Sequence, residues 1–101
     1  KNIDFEFYFH GTSHYLGIDT HDVGIAYKRG GDDAPATLVP GVVITVEPGL
    51  YFTVDDERVP AKYRGIGVRI EDDVLVTDGA PVVLTAELVK EIDDIEDTMK
   101  H

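Results

Sequence analysis

The stretch Val42-Val-Ile-Thr-Val-Glu-Pro-Gly-Leu50 decides the fold, together with Gly67-Val-Arg-Ile-Glu-Asp-Asp-Val-Leu-Val76. Both runs are rich in β-branched residues, as is typical of strands buried in a sheet. Each run nevertheless contains a carboxylate, Glu47 in the first and Glu71 in the second. A carboxylate in a sheet interior is costly unless a positive group meets it. The two glutamates are therefore the first candidates for a functional site.

Side chains alternate between the two faces of a strand, which limits the partners of each glutamate. Glu71 shares a face with Arg69, so an ion pair between them at a sheet edge is one interpretation. Glu47 follows an apolar run directly and is harder to explain in this way, although a strand end pointing into water is one interpretation for it. The alternative interpretation is a metal site that uses both carboxylates and His14 from upstream.

Histidines cluster in the run His10-Gly-Thr-Ser-His-Tyr-Leu-Gly-Ile-Asp-Thr-His-Asp22. His10 and His14 are four positions apart, but Gly11 and the absence of an adjacent glutamate exclude the helical zinc motif of metalloproteases. The pair His21-Asp22 fits either an imidazole oriented by a carboxylate or a simple turn. Composition and spacing therefore indicate a candidate metal site of imidazole and carboxylate donors, with further histidines nearby.

The rest of the chain predicts further strands and one helix. From Glu87 to Lys100 apolar residues recur at helical spacing, with acidic residues between them, which predicts an amphipathic helix over about 87–100. Mixed strands followed by a helix predict an α+β fold, with residues 1–101 as one piece of a domain. The other predicted elements are a strand at Phe5–Phe9, an extended segment at Val23–Tyr27, an exposed loop at Lys28–Pro40, a short helical turn within Asp55–Gly65 and a strand at Val82–Leu84.

Composition excludes several classes of function. The 101 residues carry a net charge of −11, which argues against binding to nucleic acid or to an anionic membrane surface. No cysteine is present, which excludes disulfides and thiolate catalysis. No apolar run reaches the roughly 18–20 residues of a membrane span. The acidic charge fits the surface of a cytoplasmic protein, so we expect a cytoplasmic location. Because the chain begins at Lys1 rather than Met, we expect it to be a piece of a larger protein.

Three blocks of the sequence, in this order, resemble one known family. They are His10–Gly24, Pro40–Tyr51 and Tyr63–Asp73. The chain resembles the C-terminal half of the catalytic domain in the pita-bread metallopeptidases. The likeness is greatest to the Xaa-Pro aminopeptidase (aminopeptidase P) branch, with prolidase next. The resemblance implies a curved antiparallel sheet with a terminal amphipathic helix. It also implies metal-dependent hydrolysis of the bond between an N-terminal residue and a following proline.

By that resemblance, His14, Glu47 and Glu71 occupy metal-ligand positions. The family holds two divalent ions, with manganese the most common and cobalt and zinc also used. His14 and Glu47 correspond to ligands of one ion, and Glu71 to the ligand that bridges both. The family's two aspartate ligands and a further histidine lie upstream of these blocks, and Asp4 and Asp19 lack the surrounding pattern of those aspartates.

The resemblance also implies roles toward a peptide substrate with proline in second position. Glu47 matches the residue that moves a proton from water to the leaving nitrogen. His21 matches the histidine that contacts the substrate and stabilises the tetrahedral intermediate, and His10 and Arg69 match residues that line the pocket near the proline.

The incomplete ligand set leads to expectations for the 101-residue chain by itself. We expect it to bind metal weakly or not at all, and to be inactive without the N-terminal half of the catalytic domain. Sheet surface that the missing half would cover favours homo-oligomers. For the whole protein, the alternatives to an aminopeptidase are a prolidase and a non-catalytic pita-bread binding module.

Overall fold

The computed structural model describes residues 6–23 and 37–100. Its elements are β1 (Val43–Val46), β2 (Gly49–Tyr51), β3 (Gly67–Arg69), β4 (Asp72–Leu75), β5 (Val82–Val83) and α1 (Ile92–Met99). One antiparallel sheet has the order β1-β4-β5, and β2 and β3 form a second antiparallel sheet. The predicted α+β class is confirmed by this arrangement.

Each of the two long strands predicted from the sequence is divided into two short ones. The run Val42–Leu50 forms β1 and β2, with Glu47-Pro48 between them. The run Gly67–Val76 forms β3 and β4, with Ile70-Glu71 between them. Proline has no N–H to donate to a ladder, which accounts for the first break. The prediction that the glutamates lie inside strands is therefore wrong, because each lies at a strand break.

The two ladders keep the same register on either side of the breaks. In the first, Val46 of β1 is the partner of Asp72 of β4. In the second, Gly49 of β2 is the partner of Arg69 of β3. The residue count between these two pairs is the same on both chains, so no residue is inserted at the breaks. The four strands therefore form one long antiparallel ribbon with a central interruption.

The interruption brings two acids face to face. When the register is continued through the break, Glu47 falls opposite Glu71. A hydrogen bond from Ile70 N to Pro48 O, 3.1 Å long, holds the two chains together there. Like charges directly opposite one another destabilise an antiparallel pair. The ribbon therefore concentrates negative charge at one point, where a cation would relieve the repulsion.

The chain segment around His14 lies along the free edge of β1. His14 is not helical, as Gly11 and Gly17 predict, and the neighbouring Tyr15 forms an isolated antiparallel bridge with Ile44. The contacts along this edge are Glu47 N to Thr12 O at 2.8 Å, Thr45 N to His14 O at 2.9 Å and Leu16 N to Val43 O at 3.0 Å. Backbone pairing thus sets His14 beside the strand that leads into Glu47.

The other predicted strands and turns have mixed outcomes. Within Phe5–Phe9, residues 6–9 form no strand, although Phe7 O accepts a hydrogen bond of 2.9 Å from Tyr51 N. Phe5 and most of the segments Val23–Tyr27 and Lys28–Pro40 lie outside the described residues. The strand at Val82–Leu84 is confirmed as β5, and the turn within Asp55–Gly65 is confirmed as a 3-10 turn at Ala61–Tyr63.

The terminal helix is shorter than predicted. It begins at Ile92 rather than at Glu87, because the preceding residues form turns that are held against β4. Lys90 Nζ donates to Thr85 O and Leu88 O, both at 2.9 Å, and this ties the segment into a turn conformation. Within the described part of the chain, the model contains no helix with the length and apolar character to cross a membrane.

Candidate metal centre

Among the described residues, the buried polar side chains are Thr45, near the end of β1, and Glu47, at the interruption of the ribbon. Thr45 is 1% exposed and Glu47 is 6% exposed. The Thr45 hydroxyl accepts a hydrogen bond from His14 N and donates one to Glu47 Oε1, each 3.0 Å long. A buried carboxylate needs such partners, because its desolvation is otherwise uncompensated. Thr45 therefore links the backbone of His14 to the carboxylate of Glu47.

The contacts of His14 indicate which of its ring nitrogens carries the proton and which one faces Glu47. His14 Nδ1 lies 3.0 Å from Tyr15 O, and a carbonyl oxygen only accepts, so Nδ1 carries the proton. In the neutral ring, Nε2 then has a free lone pair, and it lies 3.1 Å from Glu47 Oε1. Two lone pairs at that distance repel each other unless a proton or a metal cation lies with them. A metal-binding imidazole commonly donates its other N–H to a carbonyl in this way.

Glu71 completes a group of three donors. Ligand atoms of His14, Glu47 and Glu71 all lie within 4.8 Å of one another. His14 is half-buried, Glu47 is buried and Glu71 is exposed. One imidazole nitrogen with two carboxylates is a donor set that suits divalent ions of borderline to hard character. The structure thus brings together the three residues that the sequence nominated as ligands, and their chemistry fits a metal.

Arg69 contacts Glu47 rather than Glu71. Its Nη1 lies 3.3 Å from Glu47 Oε2. The interpretation of an edge ion pair between Arg69 and Glu71 is therefore wrong, and so is that of Glu47 as a strand end in water. The hydrogen bond to Tyr51, reinforced by the carboxylates of Glu47 and Glu71, raises the pKa of Arg69 above its usual value. Arg69 is thus a permanent cation beside the buried carboxylate.

Tyr51 links Arg69 to His10, and sequence reasoning missed it. Tyr51 Oη accepts a hydrogen bond of 2.8 Å from Arg69 Nε and lies 2.7 Å from His10 Nε2. His10 Nδ1 lies 2.7 Å from Gly11 O and must donate to it, so His10 Nε2 accepts the Tyr51 proton. His10, Tyr51 and Arg69 therefore form one hydrogen-bonded row.

Two glycines make room for the Tyr51 ring, and they are the signal that could have revealed it. A Cβ at Gly49 would lie 2.6 Å from Tyr51 Oη, and a Cβ at Gly67 would lie 2.7 Å from Tyr51 Cδ1. Gly67 is the register partner of Tyr51, and Gly49 is the partner of Arg69. A glycine in a strand often marks the close approach of another group. Here that group is the tyrosine ring.

His21 lies against His14, and no other described residue forms a hydrogen bond with its ring. The two ring centroids are 4.3 Å apart in an edge-to-face arrangement. Asp22 accepts from the backbone N–H groups of Ile18 and Val23, so the turn interpretation of His21-Asp22 is confirmed. Among the described residues that line the cavity, His21 is the imidazole without a hydrogen-bond partner. Its ring nitrogens are available to a ligand.

These side chains surround one cavity of about 350 Å³. Of the residues singled out in the sequence, Glu71 is the one outside its lining, and it joins the site through the donor group with His14 and Glu47. Asp4 lies outside the described residues, and Asp19 belongs to neither the cavity lining nor the donor group. The cavity lining consists of His10, Gly11, Ser13, His14, His21, Glu47 and Arg69.

Curated relatives cover nearly the whole chain. The chain is 50% identical over 99 residues to the Xaa-Pro aminopeptidase of Escherichia coli (strain K12), a match that spans 98% of this chain and 21% of that protein. It is 53% identical over 90 residues to Xaa-Pro aminopeptidase 1 of Streptomyces coelicolor (strain ATCC BAA-471 / A3(2) / M145), a match that spans 89% of this chain and 18% of that protein. The chain thus spans about a fifth of the length of these relatives.

A solved structure shares the fold. Aminopeptidase P from E. coli with the inhibitor Pro-Leu superposes with a TM-score of 0.84 at 49% identity, over 98% of this chain and 21% of that one. This similarity confirms the pita-bread fold that the resemblance implied. The model of metallopeptidase family M24 matches residues 1–78, which include all three donors. Membership implies divalent metal ions, which the donor set suits. The chain belongs to metallopeptidase family M24.

Proposed function

We propose that the whole protein is a metal-dependent Xaa-Pro aminopeptidase, which hydrolyses the bond between an N-terminal residue and a following proline. The observation that carries the proposal is the donor group itself: ligand atoms of His14, the buried Glu47 and Glu71 all lie within 4.8 Å of one another, and His14 Nε2 lies 3.1 Å from Glu47 Oε1. The identity of 50% to a Xaa-Pro aminopeptidase supports the substrate class. The inhibitor Pro-Leu in the solved structure of aminopeptidase P from E. coli supports recognition of proline.

Three side chains of this chain would hold a pair of divalent ions, with manganese the first candidate and cobalt and zinc the next. His14 and Glu47 would bind one ion, and Glu71 would bridge both. When bound, such a pair supplies a nucleophilic water at neutral pH and polarises the carbonyl under attack. The remaining ligands would come from parts of the whole protein outside this chain.

Glu47 is suited to carry the proton that must move during hydrolysis. Attack of water on the peptide carbonyl releases one proton, and the departing proline nitrogen must gain one. The Glu47 carboxylate is the buried member of the donor group, with Oε1 accepting a hydrogen bond from Thr45 and Oε2 facing Arg69. A positioned carboxylate of this kind contributes about 10²–10⁴ in rate as a general base and acid.

The imidazole and guanidinium groups around the cavity are suited to bind the peptide. His21 would donate a hydrogen bond to the oxygen that becomes negative in the tetrahedral intermediate, because its ring is not committed to another described residue. The row of His10, Tyr51 and Arg69 would form the wall against which the proline ring packs. A row held by hydrogen bonds keeps this wall in place before the substrate arrives.

Cleavage of defined peptides by the whole protein tests the proposal. We expect release of the first residue from an Xaa-Pro-Xaa tripeptide, loss of that activity in a metal chelator, and recovery when manganese is added. Liquid chromatography of the products measures the rate. Activity confined to Xaa-Pro dipeptides would identify a prolidase instead. Cleavage of a Met-Ala peptide together with refusal of Xaa-Pro peptides would contradict both prolyl functions, and metal-independent partner binding without turnover would identify a binding module.

The 101-residue chain by itself should fail in the same assay. We expect no turnover above the blank, and a manganese titration followed by calorimetry should show weak or undetectable binding. The reason is that the described residues supply one imidazole and two carboxylates to the donor group, while a catalytic pair of ions needs more ligands. Mixing the chain with the rest of the protein is the positive control. Tight binding of two ions by the chain alone would contradict the assignment of ligands.

Homo-oligomerisation and a cytoplasmic location stay predictions. The side of the ribbon opposite the cavity carries exposed apolar side chains, namely Leu50, Val68 and Ile70. The N-terminal half of the catalytic domain is the partner that we propose for this face, and a second copy of the chain is the alternative. The acidic composition is the feature that suggests the cytoplasmic location.

A further inference from the structure

The segment that follows β5 folds back onto the first residues of β4. Leu84 N donates to Asp73 O at 2.8 Å. The Thr85 hydroxyl accepts a hydrogen bond of 3.1 Å from Asp73 N and donates one of 2.6 Å to Asp72 Oδ1. One threonine side chain therefore holds both the backbone and a carboxylate at the start of β4.

The Lys90 ammonium group uses all of its N–H donors in this arrangement. Its nitrogen lies 3.0 Å from Asp72 Oδ1, and 2.9 Å from each of Thr85 O and Leu88 O. An ammonium group has three N–H donors, so the described contacts use every one. The side chain is 22% exposed, in contrast with 67% for Lys100, which directly follows α1. Lys90 is thus a built part of the fold rather than a solvated surface charge.

The position of these contacts in the chain connects them to the metal centre. Asp72 directly follows Glu71, and its register partner Val46 directly precedes Glu47. Glu71 lies between β3 and β4, outside either strand, and its side chain is exposed. No packed surroundings therefore fix the Glu71 carboxylate, and its position depends on how the backbone on each side is held.

Each side of Glu71 has its own anchor. On the N-terminal side, Ile70 N donates to Pro48 O. On the C-terminal side, the anchor consists of Thr85 and Lys90, which grip Asp72. The Lys90 ammonium also offsets the negative charge of the run Glu71-Asp72-Asp73. Neither Thr85 nor Lys90 lines the cavity, so neither is suited to contact a substrate there.

We propose that Thr85 and Lys90 are positioning residues for Glu71: by gripping Asp72 they keep the Glu71 carboxylate opposite Glu47, where it can share a metal with His14. This inference rests on the proposed function, because it assumes that the donor group binds metal. Both residues lie outside the part of the chain matched by the family model, which ends at residue 78. Hydrogen-bonding partners behind a metal ligand typically change metal affinity by about 10–100-fold.

Manganese affinity of the whole protein tests the proposal. In Lys90→Met and Thr85→Val we expect the Kd for manganese, measured by calorimetry on metal-free protein, to rise about 10–100-fold. Peptidase activity should fall at limiting manganese and recover at high manganese, with KM for the peptide unchanged. The double variant should lose no more manganese affinity than the single variant with the larger loss, because both side chains act through Asp72.

Matched variants separate positioning from general stability. Thr85→Ser keeps the hydroxyl and should keep wild-type affinity, and Lys100→Met removes the exposed pair with Asp97 and should change nothing. If circular dichroism shows that Lys90→Met does not fold, the manganese affinities of Thr85→Val and Thr85→Ser test the proposal instead. Folded variants that bind manganese as tightly as the wild type would overturn the positioning role of Thr85 and Lys90. In that case the proposed aminopeptidase function still stands, provided that the wild-type protein cleaves Xaa-Pro peptides. A wild-type protein that binds no divalent metal overturns both.

Discussion

Glu47→Gln is expected to reduce kcat/KM of the whole protein on Xaa-Pro peptides by about 10³-fold or more. The substitution keeps the shape of the side chain but removes its charge. Glu47 Oε1 lies 3.1 Å from His14 Nε2, and Oε2 lies 3.3 Å from Arg69 Nη1. A neutral amide binds a divalent cation more weakly than a carboxylate does, and it cannot accept the proton released by water. Metal content should therefore fall together with activity, and both are measured on the same preparation.

Glu57→Gln is the matched control for this substitution. It makes the same chemical change on an exposed side chain outside the cavity lining and the donor group. We expect wild-type metal content and activity from the control. A Glu47→Gln variant that loses its metal but regains wild-type rates at high manganese would refute the proton-carrying role alone. A variant with both properties unchanged would refute both roles of Glu47.

The candidate site was more predictable than the strands that carry it. Glu47 and Glu71 stand out in the sequence because a carboxylate within an apolar run is energetically unusual. The contacts that compensate for burying these carboxylates were not predictable, because they join parts of the chain that are distant in sequence. Arg69 illustrates the point: two residues from Glu71 in sequence, it contacts Glu47 instead. Alternation along one strand says nothing about a partner across the ribbon.

Tyr51 was missed for a related reason. Its place between His10 and Arg69 depends on the pairing of β2 with β3, which sets Gly67 across from the ring. The helix start was predicted wrongly because periodicity records apolar spacing and not tertiary contacts. Lys90 has helical spacing around it, yet its ammonium bonds to Asp72 keep the preceding segment out of the helix.

The two strand breaks show how sequence and site are connected. Continuous strands would satisfy the backbone hydrogen bonds of β1 to β4 more completely than the observed short ones. The chain instead has Pro48, which cannot donate, at the point where the two acids face each other. Locally unfavourable features of this kind are concentrated at functional sites. The interruption is therefore best understood as part of the metal centre.

His21→Ala is expected to lower kcat by about 10²–10³-fold while metal content stays at the wild-type level. His21 touches the ring of His14 but is not part of the donor group. Its ring nitrogens have no partner among the described residues, so the ring N–H is available to donate to a developing oxyanion. Loss of that donor should affect the transition state more than the bound substrate, so KM should change little.

Two further substitutions at this position separate hydrogen bonding from packing. His21→Phe retains an aromatic ring against His14 but has no donor, so it should be as slow as His21→Ala. His21→Gln retains an N–H donor and should recover part of the rate. Asp19→Asn, in the same turn and outside the cavity lining, is the control for a general disturbance of the loop. Wild-type rates in His21→Phe would show that the ring serves only to pack against His14, and oxyanion stabilisation would then have to come from another group.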